Sequence, residues 1–156
     1  MGIVVTRPTK QFEIVTDLQA LHESLAAARE IEGKDNVSKT ERADLKRLLQ
    51  KVDESTIVLT LRGLNSSEWN MIVIKNTEVV KDRLVKDVQQ LVLESVPGML
   101  ESAEWKSTSE PIVFEGDEIA SLIGSMSDSQ TGELMVTVQE LNSPNTSVPK
   151  DLADLI

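Results

Sequence analysis

The chain of 156 residues carries 26 acidic against 16 basic side chains, a formal charge of -10, and 40% hydrophobic content. That charge repels phosphate backbones, so DNA and RNA are discounted as partners. The absence of cysteine excludes disulfides, thiolate metal sites and a cysteine nucleophile. No apolar run approaches the roughly 20 residues of a bilayer span, and Met1 to Lys10 lacks a long apolar leader core, so a soluble cytoplasmic protein without a membrane partner is expected.

Lys10 to Val15 alternates Phe12 and Ile14 against Glu13 and Val15, the period of a short half-buried strand. Thr16 and Gln19 have capping-box spacing, and Leu18, Leu21, Leu25 and Ala28 then recur at intervals of three and four. This predicts a helix ending near Gly33 whose leucine stripe is core, with the single histidine, His22, at its surface or boundary. Ser38 and Glu41 repeat the cap before Leu45, Leu48, Leu49 and Val52, so a second helix follows. The short Gly33 to Val37 connection pairs the two as an antiparallel hairpin.

From Ser55 to Leu64 the period returns to two, with Ile57, Leu59 and Leu61 on one face of a β-branched run. A strand needs a hydrogen-bonding mate, and the Phe12 segment supplies it. Asn65 and Glu68 begin another helix with Trp69, Ile72 and Val73 turned inward. A further helix is expected to open at Thr77, with Val80, Leu84, Val88 and Leu91 as its stripe, and to stop at Pro97 and Gly98. Glu101 to Pro111 reads as a loop or linker anchored by Trp105. Asp117 is placed as the cap of a short helix bearing Ile119, Leu122 and Ile123. Ser127 and Gln130 cap a last helix with Leu134, Met135, Val138 and Leu141, and the two make a second hairpin. Asn142 to Pro149 reads as an extended connector, and Leu152, Leu155 and Ile156 as a small apolar tail that either docks on its own domain or binds a partner.

The expected fold is therefore α+β and mainly α: helical hairpins with a small two-stranded antiparallel sheet, its strands near residues 10–15 and 55–63. The expected divisions are a mixed part over 1–100, a linker over 101–111, an acidic hairpin over 112–142 and a connector with tail over 143–156, or one compact domain overall.

One histidine and no cysteine or tyrosine leave only carboxylate or Ser-Lys pairs as routes to catalysis, and the serines sit at helix caps and in loops, where backbone hydrogen bonding accounts for them. Glu115, Asp117 and Glu118 lack the alternating oxygen ligands of a calcium loop, and the glycines form no phosphate-binding fingerprint. The chain is accordingly read as non-enzymatic, with no catalytic, metal or cofactor residues and no cofactor. Between Lys106 and Lys150 there is no Lys or Arg, while Glu110, Glu115, Asp117, Glu118, Asp128, Glu133 and Glu140 all fall there. That acidic half serves solubility or meets a basic partner, whose approach it would steer. Asp117, Glu118 and Glu133 are its candidate partner-binding residues.

Three blocks carry a resemblance. Arg7-Pro8-Thr9-Lys10-Gln11-Phe12-Glu13-Ile14 resembles the strand that begins many tail assembly chaperones of long-tailed bacteriophages, especially siphophages of actinobacteria. The run Ser55 to Leu64, with its Arg62-Gly63-Leu64 turn and then Ser67-Glu68-Trp69, resembles their strand, Arg-small-Leu turn and Trp-bearing helix. Ser127-Asp128-Ser129-Gln130, Leu141-Asn142 and Val148-Pro149-Lys150 resemble their final helix and connector. Relatives often carry a His-Pro-type turn soon after the tryptophan, where this chain has Val73-Ile74-Lys75-Asn76.

The resemblance implies a protein of the infected host's cytoplasm that binds the tape measure protein and keeps it soluble. It would promote assembly of the tail tube protein around it and be left out of the mature virion. It further implies a longer frameshifted form, for which the Asn142 to Pro149 connector would be the joint. The competing reading is a structural virion component, a head-tail connector or minor tail protein.

Overall fold

The computed structural model describes residues 2–144; the tail with Leu152, Leu155 and Ile156, and the Val148-Pro149-Lys150 segment, lie outside the described residues. Strand β1 (Thr9–Val15) pairs antiparallel with β2 (Thr56–Arg62), Phe12 opposite Leu59 and Ile14 opposite Ile57. The two predicted strands are thus present and paired. Between them run α1 (Leu18–Glu32) and α2 (Lys39–Glu54), the expected antiparallel hairpin. Ser38 caps α2 through Glu41 N as predicted. The cap of α1 is Asp17, whose carboxylate accepts from Ala20 N at 2.9 Å. Thr16 does not cap it, because its N–H and hydroxyl are both taken by the Ser55 carbonyl, which ties the entrance of the hairpin to its exit.

The leucine stripe of α1 is not core. Leu18 and Leu25 are exposed, Leu21 and Ala28 are half-buried, and the buried residues of the helix are Ala20 and Ser24. Small side chains let α2 approach closely, so the helix is rotated to bring its Ala-Ser face, rather than its Leu face, against the neighbour. No residue of either helix belongs to the main buried cluster.

After β2, α3 (Ser66–Lys75) begins at Asn65, whose side chain accepts from Glu68 N, and buries Trp69. The helix expected from Thr77 is instead a β-hairpin, β3 (Thr77–Val80) and β4 (Arg83–Lys86), with Val79 opposite Leu84. Its turn residues Lys81 and Asp82 have φ of 50° and 62°, the backbone of a type I′ turn, and the β-branched pair Val79-Val80 favours the strand. α4 (Val88–Met99) starts only after Asp87, which caps Gln90 N. Pro97 does not stop it but lies in its last turn.

The stretch expected as a linker contains β5 (Leu100–Trp105), which joins the other edge of β2 and makes the sheet three-stranded in the order β1-β2-β5. Its register shifts at Thr60/Leu61, and the segment after it folds back, with Ile112 N donating to Ala103 O. Trp105 packs half-buried against the core. α5 (Glu118–Gly124) and α6 (Asp128–Asn142) follow, the latter capped by Ser127 at Gln130 N. Asp117 sits at the N-cap of α5 but makes no side-chain cap bond. The two helices do not form an independent hairpin, since each packs chiefly against α4 and α6 also lies along β1. One core results: Phe12, Ile14, Ile57, Leu59 and Leu61 from the sheet against Leu91, Val92, Val96 and Met99 of α4, with Ile119, Ile123, Leu134 and Val138 closing it. The fold is α+β and mainly helical, as the periodicities indicate. Among the described residues no helix is long and apolar enough to cross a membrane.

Candidate functional site

Asp117 and Glu118 stand exposed at the start of α5. Glu133 is exposed on α6, in a shallow groove of about 450 Å³ against β1 that is lined also by Lys10, Gln11, Phe12, Glu13, Val136 and Thr137. Asp117 and Glu118 do not line that groove, so the three acidic candidates are not gathered into one cleft. Lys10 clamps the groove by an exposed 3.2 Å ion pair to Glu140. On the other face of the sheet edge Lys106 reaches Glu13 at 2.8 Å and Asp53 at 3.5 Å. The hydrogen bond to Glu13, with the Asp53 charge added, holds the Lys106 ammonium above its ordinary range.

A second constellation joins the ends of the sheet and of α6. Gly63 N donates to Pro8 O at 3.0 Å, and Leu64 N donates to the Asn142 side-chain carbonyl at 2.6 Å. The Asn142 amide donates in turn to Val138 O at 2.9 Å. Gly63 is required by close approach: a Cβ there would lie 2.3 Å from the Leu141 carbonyl oxygen. A mainly apolar cleft of about 630 Å³ opens at this junction between Val5, Pro8, Leu64, Glu68, Leu141 and Pro144. The sequence marked Gly63 and Asn142 only as parts of motifs; the signal available was a glycine between Arg62 and the buried Leu64, where a side chain would ordinarily be tolerated.

The third feature is apolar surface. Between Met71 and Val88 the side chains of Met71, Ile74, Val79, Val80, Leu84, Val85 and Val88 are all exposed. Val79 and Leu84 are 71% and 75% exposed on one face of the β3–β4 ribbon, too much apolar area on a two-stranded sheet to be explained by that ribbon's own stability. Beneath it Asn76, buried at the end of α3, donates to Glu94 at 2.9 Å. That bond, with Gln90 and Lys75 alongside, holds the Glu94 carboxylate below its ordinary value. His22 is exposed on α1, and among the described residues no group of three His, Cys, Asp or Glu is placed to hold a metal ion.

No family model, curated protein or solved structure matches the chain.

Proposed function

We propose that the chain is a non-enzymatic tail assembly chaperone of a long-tailed bacteriophage. It binds the tape measure protein in the host cytoplasm, keeps it soluble, promotes tail tube assembly and is left out of the mature virion. One observation carries the reading: the described parts of the three blocks that bear the resemblance, far apart in sequence, meet in space. β1 ladders on β2, α6 lies along β1, and the Arg62-Gly63-Leu64 turn is held by Pro8 on one side and Asn142 on the other.

The surface chemistry supports the same reading. A protein that shields long apolar helices needs apolar area free of its own core on a strongly charged body. The exposed run from Met71 to Val88 on a chain of formal charge -10 has that character. Asp117, Glu118 and Glu133 would steer a basic segment of the client without forming a single pocket.

Co-expression with the tape measure protein tests this. Recovery of soluble tape measure in complex with the chain is expected. Insoluble tape measure, together with the chain's presence in purified particles, would instead favour a structural virion component. Charge reversal at Asp117, Glu118 and Glu133 is expected to slow association in a salt-dependent way, and unchanged binding across salt concentrations removes the acidic face from the interface.

A further inference from the structure

The three-stranded sheet has two edges, and its own chain covers one of them. Beyond β5 the chain folds back, so that Trp105 N donates to Glu110 O at 3.0 Å and Ile112 N to Ala103 O at 2.8 Å. The outer side of β1 has no such cover. Thr16 N donates to Ser55 O and Gly63 N to Pro8 O. Bonding alternates along an antiparallel pair, so the even-numbered residues of β1 turn their backbone groups to β2, and Thr9, Gln11 and Glu13 turn theirs away. Among the described residues no backbone group answers them. Gln130, buried on α6, ends the open stretch, its Nε2 lying 3.5 Å from the Val15 carbonyl oxygen. A seven-residue edge with no proline inside it is one that proteins ordinarily blunt. The groove of about 450 Å³ between β1 and α6 runs beside it, with Phe12 and the 54% exposed Val136 in its walls.

We propose that this edge is a docking site for an extended segment of another protein, which adds antiparallel to β1 as a fourth strand. The segment carries an apolar residue opposite Phe12 and a Lys or Arg two positions before it. The rim sets this chemistry. Glu13 and Asp53 share the single Lys106, and Lys10 is held by Glu140. Glu133 takes no ion pair among the described residues, so carboxylate is in excess. α6 runs antiparallel to β1, since Lys10 meets Glu140 and Val15 meets Gln130, which places Glu133 beyond Phe12 toward the end of β1. A strand entering antiparallel from that end brings its cation to Glu133 and its apolar residue, on the same face, to Phe12 and Val136.

A second copy does not fit this edge. Pairing β1 antiparallel with its counterpart would put both α6 helices on one face of the joined sheet. Because α6 lies along β1, their axes would stand about 5 Å apart, the strand spacing, where packed helices need about 8–10 Å. The chain's own residues 145–156 have the wrong charge, one Lys against two Asp, and Pro149 lacks an N–H to donate. The edge belongs to the fold, so this inference does not rest on the identity proposed for the client.

The probe is a capped seven-residue peptide, Thr-Lys-Thr-Val-Thr-Thr-Thr, titrated into the whole chain and followed by amide NMR and hydrogen exchange. Binding in the micromolar-to-millimolar range is expected, with exchange slowed at Gln11 and Glu13. In this register the third and fifth residues of the peptide turn their N–H groups to β1. N-methylating those two should weaken binding roughly 10-fold or more, whereas N-methylating the lysine and the valine should leave it nearly unchanged. Glu133→Lys should weaken it roughly 5-fold and remove its salt dependence. Gln11→Pro deletes an N–H that faces away from β2, a position a sheet edge tolerates, and should also lower affinity roughly 10-fold; if that chain fails to fold, the methylated peptides decide on the wild type. Equal binding of the two methylated peptides, no binding at all, or a glutamate-for-lysine peptide that binds as well would overturn the proposal. So would Gln11 and Glu13 amides already protected without peptide, which would show the edge covered by the chain itself or by a second copy.

Discussion

Replacing Gly63 by alanine tests the junction that organises the fold. The added Cβ would meet the Leu141 carbonyl oxygen at 2.3 Å and its carbon at 3.1 Å. Both are backbone atoms, so no side chain can swing aside. Moving α6 away by the several tenths of an ångström needed costs what overpacking does, about 1–3 kcal/mol. The same movement stretches the 2.6 Å bond from Leu64 N to Asn142, worth about 1 kcal/mol. The sum is about 3 kcal/mol, which lowers the melting temperature by roughly 6–12 °C in a chain of this length and the urea midpoint by roughly 1–2 M. Urea titration followed by Trp69 and Trp105 fluorescence and by circular dichroism measures it. Gly132→Ala is the control: nothing lies within 4 Å of a Cβ there, so the helix α6 should gain about 0.5–1 kcal/mol. A Gly63→Ala chain within about 0.5 kcal/mol of wild type would refute the close-approach argument.

Three further outcomes follow from other contacts. Asn142→Ala leaves the Leu64 amide without its acceptor and should cost about 1–3 kcal/mol, with faster hydrogen exchange at Leu64 than elsewhere on the sheet; an unchanged rate would show that water takes over the bond. Lys81→Asn with Asp82→Gly suits the positive φ at both turn positions and should stabilise the chain by about 0.5–1 kcal/mol in thermal melts, whereas a helix-favouring pair of alanines should destabilise it. Glu94 is held below its ordinary value of 4.5 by Asn76, Gln90 and Lys75. A lowered folded-state value means that its contribution is complete above 4.5 and is lost as the pH falls through the lowered value. Glu94→Gln should therefore be the less stable chain at neutral pH, with the gap to wild type closing as the pH falls from 4.5 through the lowered value; a gap constant with pH would contradict this.

What the sequence determined is the part that rests on local rules. Ser38, Asn65 and Ser127 start helices because a short side chain can satisfy the first orphan N–H groups wherever the helix goes. Phe12 to Ile14 and Ile57 to Leu61 pair because two period-two segments flank a helical hairpin that brings the chain back antiparallel. The acidic tract is equally legible, as composition, although its members disperse over α5, α6 and the loop before them. The tertiary structure decided the rest, and in each case by competition. Val80, Leu84, Val88 and Leu91 keep helical spacing, yet the αL-tolerant Asp82 and the strand preference of Val79 and Val80 turn the first half into a hairpin. Leu100 to Trp105 is too polar to read as a strand, and it is one because β2 had a free edge to fill and Ala103 opposite Leu59 fits the core. The leucines of α1 have core spacing, but spacing says only that they share a face; which face meets the neighbour is set by how closely the helices can approach, and the alanines and Ser24 approach closest.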